Sequence, residues 1–177
     1  MIKRLGLLVG ATIIWSLSTN GTVNAANSRD TLTRTDWVFL QMAGAAAKTD
    51  MTRDRLARDS AADIRVRQFA TLAAQDHERY AAELTVLADQ KDVTLRDPDA
   101  WQRDTTEKLT RLAGRAFDRL YLDALVTDHQ KSLFYFEKAL QSKDAAIRVF
   151  AEHVTPTLRD QLQRARDLQR LVPGAGK

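Results

Sequence analysis

The sequence predicts an all-α protein, an antiparallel four-helix bundle of two helical hairpins with a long, partly helical crossover between the second and third helices. Three observations predict it. Apolar residues recur at three-four spacing through four long segments. Glycine and proline are scarce, 7 and 3 of 177 residues, and beyond the first 25 residues most of them mark segment ends. Two of the three connections are short and the middle one is long.

The first helix is expected over about 35–57, with Trp37, Leu40, Ala43, Gly44, Ala47, Met51 and Asp54 on one face. The second, about 62–89, carries Val66, Phe69, Ala70, Ala73, His77, Tyr80, Ala81, Leu84 and Leu87. The third, about 114–141, carries Leu122, Leu125, His129, Leu133, Phe136 and Leu140, with Asp118 and Tyr121 one turn earlier. The fourth, about 144–170, carries Ile147, Phe150, Ala151, Val154, Leu158, Gln161, Ala165 and Leu168. Stripes of this kind are buried only against one another, and the short links at 59–63 and 142–144 make each flanking pair an antiparallel hairpin. The crossover, 91–113, contains Asp97-Pro98-Asp99 and then a short helix expected over 100–112. Phe117, Phe134, Tyr135, Phe136 and Phe150 read as an aromatic cluster, from which Phe134 or Tyr135 is expected to point away.

The chain opens with Lys3-Arg4, an apolar run from Leu5 to Trp15, and Val23-Asn24-Ala25. That is the layout of a secretory signal peptide with cleavage after Ala25. An uncleaved membrane anchor is the alternative, and the run is shorter than the roughly 20 residues that span a bilayer. The expected product is exported, to the periplasm or beyond, with flexible ends at 26–34 and 173–177 around a bundle domain at 35–172. Cleavage also removes Lys3 and Arg4, halving the net charge of +4. The remaining Arg and Asp alternate along the helices, which argues against a nucleic-acid partner and against binding a membrane surface. With no cysteine, stability must come from packing. No transmembrane segment is expected after cleavage. An envelope partner or a second copy of the chain stays open.

Candidate chemistry gathers around two Asp-His pairs, Asp76-His77 and Asp128-His129, whose histidines both lie on apolar stripes. His77 is expected level with Ala46 and Ala47, and His129 level with Thr157 and Leu158, one turn from Gln161. The small run Ala43 to Ala47 is expected to leave room between them. Carboxylates from Asp50, Asp54 and Asp118, the hydroxyls of Tyr80 and Tyr121 and the amide of Gln161 complete a polar layer. Imidazole with carboxylate suits a transition metal, with His77, His129, Asp50 and Asp118 as the ligand candidates. A di-iron centre is not expected, because the residues three before His77, His129 and His153 are Ala74, Val126 and Phe150 rather than Glu. The reading adopted from the sequence is a structural one, buried histidines satisfied by their neighbours and no cofactor. His153 is read as a surface residue. No Gly-rich loop or nucleophile elbow is present.

The segment Phe117-Asp118-Arg119-Leu120-Tyr121, running on to Asp128-His129-Gln130-Lys131, then Phe136-Glu137 and Pro156-Thr157-Leu158-Arg159, resembles a bacterial domain-of-unknown-function family, number 4142. Val66 to Phe69 and Asp76-His77 to Leu84 match its second helix, and the resemblance spans about 37–171. It implies an exported ferritin-like bundle of a kind often labelled an outer membrane protein, and no particular activity. It also implies departures: a histidine is usual where Gln161 stands, a Glu where Asp50 stands, and a Leu where Thr155 stands. The function expected is therefore an exported, non-enzymatic bundle acting through its surface in the cell envelope or in stress survival. The alternative is a metal-binding or redox protein centred on His77 and His129.

Overall fold

The computed structural model describes residues 32–172. The expected signal peptide, its cleavage site and the tail at 173–177 lie outside them. Among the described residues there are five helices and no strand: α1 Arg34–Ser60, α2 Ile64–Gln90, α3 Ala100–Thr110, α4 Gly114–Ala139 and α5 Ala145–Leu171. None is long and apolar enough to cross a membrane.

The ends are set by local chemistry. Thr33 opens α1 with a capping box closed by Asp36, Asp63 caps α2, Asp99 and Gln102 form a capping box on α3, and Asp144 caps α5. The helix α4 has no side-chain cap and begins at Gly114, whose φ of +62° favours glycine. At the end of α2 the carbonyl of Ala88 accepts from the backbone N–H of Val93, with Asp92 left-handed between them, and this closure turns the chain into the crossover.

The four long helices form a ring of antiparallel neighbours: α1 packs on α2 and α4, and α5 packs on α4 and α2. Paired residues run in opposite order along each contact, as with Phe39 and Asp54 of α1 against Phe136 and Tyr121 of α4. The seam between α2 and α5 is the least closely packed of the four, and α3 lies across α1 and α4. One apolar cluster fills one end of this ring of helices around Phe39, Leu84, Phe136 and Phe150, and another the opposite end around Phe69, Leu109, Phe117 and Tyr121.

Some facing assignments need correction. Trp37, expected inside, is 49 % exposed, because Phe39 and Leu40 hold the inner face of that turn. Phe117 does not join the other aromatics; it stacks by Tyr121 at the far end, while Phe39 completes the Phe136–Phe150 group. The small residues of α1 leave no open space at Gly44. A Cβ there would lie 2.8 Å from Leu95 Cβ, so the notch admits the crossover.

Candidate functional site

Between the two apolar clusters lies a buried polar layer to which all four long helices contribute. Asp50 and Asp54 stand one turn apart on α1, His77 and Tyr80 on α2, Tyr121, Asp128 and His129 on α4, and Gln161 on α5, all buried. His77 therefore sits level with Asp50 and Asp54, one to two turns further along α1 than Ala46 and Ala47, where it was expected.

The hydrogen bonds fix which nitrogen of each ring is free. His77 Nδ1 donates to Asp54 Oδ2 at 2.5 Å, and Tyr121 Oη donates to Asp54 Oδ1 at 2.7 Å, so both carboxylate oxygens are engaged. Across the layer, Gln161 Nε2 donates to Asp76 Oδ2 at 3.2 Å, which orients the amide with Oε1 inward as an acceptor. His129 Nε2 is then the donor to that oxygen, at 2.9 Å, and its Nδ1 carries the lone pair. The two rings meet edge to face, 5.4 Å between centroids, and the ring of Tyr80 closes on His77 at the same separation. His77 Nε2 and His129 Nδ1 are both buried without a hydrogen-bond partner. Asp50 Oδ2 approaches His77 Nε2 only to 4.0 Å, beyond hydrogen-bond range. One donor atom from each of Asp50, His77 and His129 lies within 4.8 Å of the others.

The electrostatics of the layer are lopsided. Asp50, Asp54 and Asp128 are buried with one arginine, Arg53, and beside His77. Burial, reinforced by Asp54, raises the Asp50 carboxyl to about 6 against the opposing pull of His77 and Arg53. Burial likewise raises Asp128 to about 6, with Asp50 adding to it and Arg53 opposing. For His77, burial disfavours the charge, but Asp54 and Asp50 outweigh it and lift the ring to about 9. For His129, burial and the neighbouring His77 push the ring down to about 4. The tyrosine hydroxyls of Tyr80 and Tyr121 are raised well above their ordinary range, first by burial and then by the aspartates. Two chemically identical rings in contact thus differ: one binds a positive charge and the other refuses a proton.

Asp118 is not brought to the histidines. Its two carboxylate oxygens accept the backbone N–H groups of Ala62 and Asp63, each at 2.8 Å, and so tie α4 to the turn between α1 and α2. His153 is on the surface, as expected, with Nδ1 3.0 Å from Glu83 Oε2. The residue that sequence reasoning missed is Arg53, whose side chain is 2 % exposed. Its Nη1 donates to Asp128 Oδ2 at 2.6 Å, Nη2 to the carbonyl of Gln102 at 2.9 Å, and Nε to Thr106 Oγ1 at 3.0 Å. It joins the layer to α3, beneath Trp101, which also carries Lys131 over its ring at 4.3 Å.

The fold and the layer define an all-helical protein with a buried two-histidine, one-carboxylate cluster. The family model described as "Domain of unknown function (DUF4142)" matches residues 21–168, and the chain belongs to that family. Among solved structures, a DUF305 fragment from Deinococcus radiodurans is similar, with a TM-score of 0.69 and 12 % identity over 77 % of this chain and 96 % of that one. At that identity the likeness is one of fold. No curated protein matches the chain.

Proposed function

We propose that the protein is an exported, ferritin-like four-helix bundle that binds one transition metal ion through His77 Nε2, His129 Nδ1 and Asp50. The observation that carries this is the pair of fully buried, unpartnered imidazole nitrogens beside an unpaired approach from Asp50. A buried polar atom without a partner is rare and costs roughly 1–3 kcal/mol, and an ion is one of the few occupants that removes that cost. Around these donors stands the outer support that metal-binding histidines use: Asp54 on the far nitrogen of His77, and Gln161, set by Asp76, on the far nitrogen of His129. Once His77 gives up its proton to ligate, the three buried carboxylates of the layer exceed the one arginine by two charges, which a divalent cation balances. Bonds of about 2.1 Å hold any two donors at most about 4.2 Å apart, so the layer would tighten by at least about half an ångström on binding.

Two histidines and one carboxylate leave coordination positions for water or a small reactant, and they suit zinc, copper, iron or manganese. The bundle reading is supported by the antiparallel ring of helices and the long crossover. Export, to the periplasm or beyond, is supported by the signal-like residues 1–25.

The test is elemental mass spectrometry of tag-free protein, purified from the periplasm without chelator, beside a His77→Gln, His129→Gln control. About one transition metal per chain, absent from the control, is expected. Protein that stays metal-free after dialysis against each candidate ion returns the layer to a structural role.

A further inference from the structure

His77, His129 and Asp50 are each at most 3 % exposed, so an ion that binds them must first cross the shell of the bundle. Resting on the metal reading above, we infer that the ion enters through the seam between α2 and α5, captured at the mouth by Glu83 and His153 and admitted past the ring of Tyr80.

Several independent features converge on this seam. It is the least closely packed contact among the long helices, so parting it breaks the fewest interactions. A cleft of about 30 Å³ opens there, with Asp76, Arg79, Tyr80, Glu83, His153 and Leu158 among its lining residues. That volume holds a water or two and no hydrated cation, so an entering ion sheds its shell and needs replacement donors. Glu83 Oε2 and His153 Nδ1, 3.0 Å apart, supply a carboxylate and an imidazole at the rim. Asp76 supplies a second carboxylate further along, held between Arg79 at 2.6 Å and the amide of Gln161. The walls of the cleft also belong to the site behind it. Tyr80 lines the cleft on one side and meets His77 on the other, and Asp76 reaches His129 through Gln161.

The α5 wall lacks one backbone hydrogen bond. Pro156 lies inside the helix among these residues and has no N–H for the carbonyl of Glu152, which leaves a missing rung beside His153. None of the four larger clefts among the described residues is lined by a residue that hydrogen-bonds or ring-packs with either histidine.

The experiment is stopped-flow mixing of metal-free full-length protein with cobalt(II), followed by its visible absorbance. A Glu83→Gln, His153→Gln variant is expected to take up cobalt about tenfold more slowly than the parent and to saturate at the same cobalt per chain. Tyr80→Ala, which removes the barrier, is expected to take it up faster. Glu107→Gln, an equal loss of charge on α3, is expected to leave the rate alone. Uptake by both seam variants at the parent rate, or equal slowing by Glu107→Gln, overturns the route and leaves the site standing. No cobalt spectrum from the parent overturns the site and the route with it.

Discussion

At the end of the molecule where α1 begins, Phe39 meets Phe136 edge to face at 4.9 Å and Phe150 at 6.2 Å, within a shell of leucine, valine and alanine. About three turns along the same helix, Asp50, Arg53 and Asp54 are just as dry and sit among histidines, tyrosines and a glutamine. The aromatic end satisfies itself: each ring is covered by others and nothing polar is stranded. The middle is sealed equally well, yet it keeps two nitrogens unpaired and holds more negative charge than positive. Sealing alone therefore does not explain the layer. A core selected only for stability would replace it with leucine and phenylalanine, which is neutral or favourable when buried ion pairs are swapped for packed apolar groups.

The largest expected effects come from damaging each region in its own way. Phe39→Ala leaves a cavity and should cost about 3–5 kcal/mol in urea unfolding. Arg53→Met should cost a similar amount by a different route, since it strands Asp128 without its cation and cuts the tether from α1 to α3. Adding Asp128→Leu should recover much of the Arg53→Met loss, whereas the cavity at Phe39 admits no such repair. A cost below about 1 kcal/mol for Arg53→Met would mean that Arg53 is not the link between the crossover and the layer.

Metal sharpens the contrast next. Cobalt at a hundred times its dissociation constant should stabilise the parent by about 2.7 kcal/mol. The same shift should survive in Phe39→Ala and vanish in His77→Gln, His129→Gln. Loss of the shift in Phe39→Ala would show that the two regions are not separate. A smaller effect, about 1–3 kcal/mol, is expected for Gly44→Ala, because the new Cβ would press on Leu95. Its signature should be faster amide exchange within 91–99, with cobalt binding retained.

These regions were not equally legible in the sequence. The helices and the inward facing of His77 and His129 follow from periodicity and the hairpins from the short links, all of them local properties. Asp118 also lies on that stripe, but its side chain was claimed by backbone donors of the α1–α2 turn, a contact set by tertiary approach. Arg53 was hidden for the opposite reason. A charged residue in an amphipathic helix reads as solvent-facing, and only the crossover laid across α1 buries it. Gly44 likewise suggested space where Leu95 fits. Spacing tells which residues face inward, and it does not tell which neighbour a long side chain reaches.

The smallest effect isolates the price of the layer in the metal-free protein. His129→Leu with Gln161→Leu removes a stranded nitrogen together with the amide that orients it. Asp76 loses one donor but keeps Arg79 and partial solvent access. The double variant should be more stable than the parent by about 1–2 kcal/mol in chelator. The advantage should also depend on pH. His129 is held down to about 4 in the folded chain, against 6.5 when unfolded. The stability it contributes is therefore present above 6.5 and is lost as pH falls through that value toward 4. Asp50 and Asp128, raised to about 6, act the other way, but both proteins contain them and they largely cancel in the difference. The variant's advantage should thus stay level between pH 8 and 7 and widen by about 1 kcal/mol between 6.5 and 5.5. A difference constant through that lower window would mean that the folded chain protonates His129 as readily as the unfolded one. That outcome would remove the bare, buried lone pair on which the two-histidine site depends.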